Sequence, residues 1–210
     1  LYEIERMMEQ DRIPLVPVYV DSPLAIKVTD IYRKYENEYF NKDVRYIMNS
    51  GNEIFKFAQL QFTNSTDESR AIDASPLPKI VMAGSGMSNG GRILHHEKKF
   101  LPDPKSTLLL VGYQAAGTLG RRLQDGQKRV RIMGEEVDVR ARVATIGGYS
   151  AHKDSEGLLA FVASSVDTLK HVYAVMGEPK SALFLVQRIR DYLGVNASAP
   201  VANEVAEIEL

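Results

Sequence analysis

Lys79-Ile80-Val81-Met82-Ala83-Gly84-Ser85-Gly86-Met87-Ser88-Asn89-Gly90-Gly91-Arg92 is the stretch on which the fold class turns. A short apolar run ends in glycines, and a helical pattern follows from about Arg92 to Phe100. That is the strand–turn–helix unit of an α/β protein. The same order recurs upstream, where a strand over Leu15 to Val20 ends at Asp21-Ser22-Pro23. Asp21 or Ser22 suits a helix N-cap and Pro23 suits the first turn. Leu24, Val28, Ile31, Tyr32 and Tyr35 then carry helical spacing, and this stripe is expected to pack on the sheet. Downstream, a strand over Thr107 to Val111 enters Gly112-Tyr113-Gln114-Ala115-Ala116-Gly117, with a short helix beginning near Thr118.

Between Val130 and Ile146 apolar and charged residues alternate around Gly134-Glu135, as in a hairpin with one solvated face. Strand and helix then resume: a strand over Ala144 to Tyr149, and a helix over Glu156 to Ser164 capped by Asp154 or Ser155. A buried strand over His171 to Val175 precedes a helix over Pro179 to Leu193 ended by Gly194. The segment Asn49 to Pro78 reads as a helix near Glu53 to Leu60 followed by a Ser/Asp/Pro-rich connection. Repeated strand–helix units with glycine turns after the strands imply a mostly parallel sheet with helices on both faces. Ligands of such sheets bind beyond the carboxyl ends of the strands. The Asp21, Gly84–Gly91, Gly112–Gly117, Ser150–His152 and Gly177-Glu178 turns are expected to gather there.

Composition narrows the chemistry. Apolar residues make up 44% and charged residues 25% of the 210, excluding wholesale disorder and collagen-like repeats. Lys and Arg total 26 against 27 Asp and Glu, so any nucleic-acid contact needs a local patch. Seven basic residues (Arg121, Arg122, Lys128, Arg129, Arg131, Arg140, Arg142) face four acidic ones between Gly117 and Arg142. That surplus fits a phosphate track and a solvated hairpin face equally well. With no cysteine, disulfides, thiolate metal sites and thiol nucleophiles are excluded. The longest apolar run, Thr107 to Gly112, is far short of the ~18 residues of a membrane span, and with no charged n-region and apolar h-region at its start, export is not expected. A cytoplasmic protein without membrane contact is the expectation. Helical spacing from Leu1, with neither a cap nor an initiator Met before it, gives the further expectation of a fragment of something longer.

Gly84, Ser85 and Gly86 before a helix offer backbone N–H groups to phosphate oxygens, and Arg92 adds positive charge. The alternative is a tight turn that needs glycine for its dihedral angles. As a dinucleotide fingerprint the stretch fails: the third glycine position holds Asn89, and no acidic residue closes the strand near Val111. Ser150-Ala151-His152 lies between strand and helix, a position from which an imidazole can pass a proton to a leaving oxygen. The alternative there is a surface histidine near a helix start. His95 and His96 are adjacent on a helix, about 100° apart, and read as surface or packing residues. His171 reads as structural.

Val20-Asp21-Ser22-Pro23-Leu24-Ala25 occurs first, and Ala83-Gly84-Ser85-Gly86-Met87 with Gly90-Gly91-Arg92-Ile93-Leu94-His95-His96 comes next. Val111-Gly112-Tyr113-Gln114 with Gly117-Thr118-Leu119-Gly120 follows, then Gly148-Tyr149-Ser150-Ala151-His152. As an ordered set these resemble the β-CASP branch of the metallo-β-lactamase superfamily, RNA-processing nucleases related to the cleavage-and-polyadenylation endonuclease. The resemblance implies a β-CASP domain over residues 1–146 and, over 147–210, the returning C-terminal part of the metallo-β-lactamase αββα fold. In the family a His-x-His-x-Asp-His motif, a further His and a bridging Asp hold two zinc ions in an N-terminal segment. No His-x-His occurs in this chain.

The resemblance gives His152 the place of the His that contacts the scissile phosphate and assists leaving-group departure, with Ser150 a phosphate-contacting neighbour. Asp21 belongs to the first β-CASP strand and is expected to cap a helix or shape the RNA cleft. Met176 stands where the family has a zinc-ligating His, a thioether in place of an imidazole. The implied reading is the RNA-binding side of a two-zinc phosphodiesterase, inactive alone, acting with single-stranded RNA and the N-terminal metallo-β-lactamase segment. A homodimer is compatible with it. The alternative is a non-catalytic β-CASP relative that binds RNA or a partner protein.

Overall fold

The computed structural model describes residues 1–49, 55–150 and 152–206. The chain divides into two compact units, Leu1–Gly148 and Tyr149–Leu210. Among the described residues no helix is long and apolar enough to cross a membrane.

The first unit opens with helix α1 (Tyr2–Glu9) and strand β1 (Val18–Asp21). β1 is the centre of a three-stranded parallel sheet, between β2 (Leu60–Phe62) and β3 (Ile80–Ala83). All four β1 residues are buried, as expected of a strand with neighbours on both sides and cover on both faces. Met8 of α1 packs with Val16 and Val18, and Phe57, Leu60 and Ile80 close around them. Register sets Asp21 beside Ala83, so β1 ends level with the glycine turn that follows β3.

Helix α2 (Pro23–Lys34) starts as its sequence requires: Ser22 Oγ accepts from Ala25 N, with Pro23 at the first position. Ser22 is thus the cap and Asp21 is not. The apolar stripe is a second correction. Leu24 is 73% and Ile31 56% exposed, while Val28, Tyr32 and Tyr35 are exposed as well. The face turned inward carries Ile26, which is buried, and Arg33. The Arg33 guanidinium donates to Phe55 O and lies 5.6 Å from the centroid of the Phe62 ring. A carbonyl and an aromatic face under the helix suit a guanidinium better than an aliphatic stripe. Helices α3 (Glu36–Tyr39) and α4 (Lys42–Asn49) follow. Of the helix expected over Glu53 to Leu60, residues 53–54 lie outside the described residues, and Leu60 begins β2 instead. Helix α5 (Thr66–Ala71) has a capping box: Ser65 Oγ accepts from Glu68 N, and Glu68 accepts from Ser65 N.

Helix α6 (Ile93–Phe100) leads to strand β4 (Thr107–Val111), helix α7 (Leu119–Gln124), the hairpin β5 (Arg129–Ile132) and β6 (Glu135–Asp138), and strand β7 (Arg142–Ile146). The hairpin is shorter than expected. Met133 and Gly134 both take positive φ, the geometry of a two-residue turn that matches strand twist. After Asp138 the chain leaves the hairpin, and β7 pairs in parallel with β4. Leu101, Leu119, Leu123, Val130, Ile132, Val137 and Val139 form the core here. Among the described residues, strand pairing is parallel except in the hairpin.

The second unit contains helix α8 (Ser155–Ala163), strand β8 (Val172–Tyr173), helix α9 (Pro179–Leu193) and strand β9 (Ala197–Ser198). α9 has Pro179 in its first turn and ends at Gly194, φ 65°, in the left-handed conformation that glycine favours. Val162, Val186, Ile189, Val195 and Ala197 form its core. The strand expected over His171 to Val175 is only the two half-buried residues of β8, paired in parallel with β9.

Candidate nucleic-acid interface

Three strand ends meet in the first unit. Asp21 closes β1, Gly84–Gly91 follows β3, and Gly112–Thr118 follows β4. The Gly84–Gly91 loop folds back on itself. Ser85 N donates to Gly90 O (3.1 Å), Ser88 N to Ser85 O (3.1 Å), Asn89 N to Ser85 Oγ (3.1 Å), and Ile93 N to Gly84 O (3.2 Å). Gly91 has φ +77°, and a Cβ there would stand 2.6 Å from Gly84 O, so the closure depends on glycine. The tip is open: Ser85 and Gly86 are exposed.

The second loop supports the first. Gln114 Nε2 donates to Gly86 O at 2.9 Å, and Gly120 N donates to Met87 O at 3.0 Å. Thr118 caps α7 through Arg121 N, which fixes the helix start that carries Gly120. From below, Ser88 Oγ donates to Glu97 Oε1 of α6, and both residues are buried. Glu97 Oε2 has no partner among the described residues, and burial pushes the Glu97 carboxyl up to about 6.

Asp21 is fully buried and is the anchor of the whole arrangement. Oδ1 accepts from Thr63 Oγ1 (2.6 Å) and Arg92 Nη1 (2.6 Å), and Oδ2 from Ser69 Oγ (2.7 Å). His96 Nε2 lies 2.7 Å from Oδ2. An ionised carboxylate only accepts, so Nε2 carries the proton. Burial alone would raise the Asp21 carboxyl, but the bonds from Ser69, Thr63, His96 and Arg92 outweigh it and hold the group at about 2. Arg92 also donates to Thr63 O and Asn64 O. Its guanidinium is therefore engaged behind the loop, with 20% of the side chain exposed. The adjacent histidines divide as their helical angle requires: His96 is buried and His95 exposed.

The second unit holds Ser150 and His152, both exposed. Ser150 Oγ accepts from His152 N at 3.2 Å. Asp154 caps α8 through Gly157 N at 2.7 Å, so His152 stands just ahead of a fixed helix start. His171, read as structural, lies with Nε2 2.9 Å from Ser198 Oγ. Met176 is fully exposed with φ 65°. Among the described residues no three His, Asp or Glu side chains cluster as metal ligands.

Residues 1–123 match the Beta-Casp domain. The chain belongs to the β-CASP family. Residues 136–200 of this β-CASP chain match the Zn-dependent metallo-hydrolase RNA specificity domain. It is similar to a ribonuclease of Thermus thermophilus, 40% identical over 174 residues, covering 83% of the chain and 39% of the relative. It is also similar to the transcription termination factors FttA of Thermococcus kodakarensis (35% identical, 88% of the chain, 29% of the relative) and Methanosarcina mazei (31%, 93% and 31%). The chain thus spans two fifths or less of the length of these relatives. The zinc that the family implies does not fit the described residues: Met176 offers a soft, uncharged sulfur, and among them no carboxylate–imidazole cluster stands ready for the ion. Neither the Gln114 brace nor the buried Glu97 was signalled by spacing; both are set by tertiary contacts.

Proposed function

We propose that this chain is the RNA-gripping part of a zinc-dependent β-CASP ribonuclease whose metal ligands lie in other parts of a longer polypeptide. Residues 1–146 would form the β-CASP domain and 147–210 the returning segment of the metallo-β-lactamase domain; the N-terminal part of that domain would be the chain's partner. The observation that carries the reading is the exposed tip of the Gly84–Gly91 loop, held rigid from behind by Asp21, Glu97 and Gln114. Tip amides not spent on the loop's own closure, and fixed beforehand by it, bind phosphate with little ordering cost. Gly84, Ser85 and Gly86 take phosphates of single-stranded RNA, and Arg92, its charge paired with Asp21, holds the loop in place. Ser150 contacts the scissile phosphate, and His152 gives a proton to the departing oxygen, an exchange suited to an imidazole near neutral pH. A cytoplasmic location goes with this reading.

Fluorescence anisotropy with a single-stranded oligouridylate tests the grip. Affinity should fall steeply with salt, and a bulky side chain at Gly86 should weaken it at least tenfold. Binding unaffected by salt or by Gly86→Val would end the proposal. The isolated chain should not cleave RNA with added Zn²⁺ or Mn²⁺, and robust cleavage lost on His152→Ala would contradict that.

Met176 favours a second reading, a β-CASP relative that binds RNA or a partner without cutting. Met176→His in a polypeptide of the relatives' length separates the two. A large gain in bound zinc and in cleavage marks a weakened nuclease, and no gain marks a binding module.

A further inference from the structure

Gln114 is 98% buried, yet it leaves its own acceptor, Oε1, without a partner among the described residues. An orphaned buried carbonyl is costly, and a methionine or leucine of similar volume would avoid the cost. The residue is explained by its other end. Nε2 donates to Gly86 O at 2.9 Å, with a longer contact to Gly112 O at 3.4 Å. Room for the amide exists because residue 120 is glycine: a Cβ there would stand 1.8 Å from Gln114 Oε1. The same glycine donates its N–H to Met87 O. Two successive carbonyls of the loop are therefore fastened to the Gly112–Gly120 segment.

A planar trans peptide holds its N–H opposite its C=O. The Gly86–Met87 bond is trans, so fastening Gly86 O to Gln114 turns Met87 N–H to the side away from Gln114. The next two amides are turned back into the loop, Ser88 N to Ser85 O and Asn89 N to Ser85 Oγ. Met87 N–H has no such partner among the described residues. We infer that Gln114 is a positioning residue that aims the Met87 amide outward as a hydrogen-bond donor to a phosphate of the RNA strand. The inference rests on the proposed role of the loop as a phosphate site and names the atom that makes the contact and the side chain that sets it.

Gln114→Met keeps the volume and removes the donor. In the whole chain, exchange of the hydrogen-bonded Ser88 and Asn89 amides should quicken about tenfold, with the unfolding midpoint unchanged. Affinity for a single-stranded oligouridylate should fall about five- to tenfold. The slope of log K against log salt should not change, because a neutral amide releases no counterion, whereas loss of a cationic contact would shrink it. A purely structural role would lower the unfolding midpoint instead. Unchanged exchange and unchanged affinity overturn the inference while leaving the loop as a phosphate site. Faster exchange with unchanged affinity overturns the phosphate role of the loop itself. Gly120→Ala gives an independent reading should Gln114→Met fail to fold. The added methyl should displace the amide and reproduce the binding loss, and in a Gln114→Ala background it should add little further loss. Additive losses in that pair would overturn the inference.

Discussion

Replacing Asp21 by Asn keeps the shape of the side chain and removes the negative charge on which Thr63, Ser69, Arg92 and His96 converge. Two estimates bound the result. Holding the carboxyl at about 2 instead of 3.8 is worth about 2.5 kcal/mol of folding stability near neutral pH. Breaking a buried ion pair from one side typically costs about 3–5 kcal/mol, since the remaining charge has lost its partner. Asp21→Asn should therefore lower stability by about 2.5–5 kcal/mol at pH 7. The sign with pH follows from the depressed value: the contribution is complete above the unfolded carboxyl range and disappears as pH falls from about 4 through about 2. Urea denaturation of wild type and variant at pH 7 and at pH 3 provides the assay, and the gap between them should narrow at the lower pH. A loss under about 1 kcal/mol at pH 7 would refute the reasoning, because it would mean that Arg92 and His96 do not depend on Asp21.

Two further outcomes follow from neighbouring residues. Glu97 is buried with its carboxyl raised to about 6, so the folded state favours the protonated form, and stability is lost as pH rises from about 4.5 through about 6. Glu97→Gln keeps the acceptor for Ser88 and should stabilise the protein by about 1–2 kcal/mol at pH 7 and hardly at all at pH 4; thermal melts at the two pH values check it. Gly91→Ala combines φ +77° with a Cβ 2.6 Å from Gly84 O and should cost about 2 kcal/mol or more. Amides of the Gly84–Gly91 loop should lose protection from hydrogen exchange first.

Local chemistry made much of this fold legible. Ser22-Pro23, Thr118, Asp154 and the Pro179–Gly194 pair set helix ends, and each works through its own few residues. Strands β3 and β4 were readable from apolar runs followed by glycines and β1 from its run before Asp21-Ser22-Pro23, whereas β2 and β9 were not. What could not be read is where faces point and which distant groups meet. The stripe from Leu24 to Tyr35 has the periodicity of a buried face, but the contacts under α2 belong to Ile26 and Arg33. Asp21 sits where a cap would, and only the approach of Thr63, Ser69, Arg92 and His96 makes it an internal anchor. Those partners are 42 to 75 residues away in the chain. Glu97 carries no local pattern, and Gln114 stands in the turn motif after β4 with nothing there to show that it braces Gly86.

The cross-tied turn after β3 has its length fixed as firmly as its shape. Gly84 O meets Ile93 N, Ser85 N meets Gly90 O, and the Gly86 and Met87 carbonyls latch onto a neighbouring segment. Adding or deleting one residue between Ala83 and Ile93 would put every one of these couplings out of step at once. Attempts to retune what the tip grips therefore have the open Gly86 position to vary, where a Cβ would meet nothing within 4 Å, and no freedom to lengthen or shorten the span.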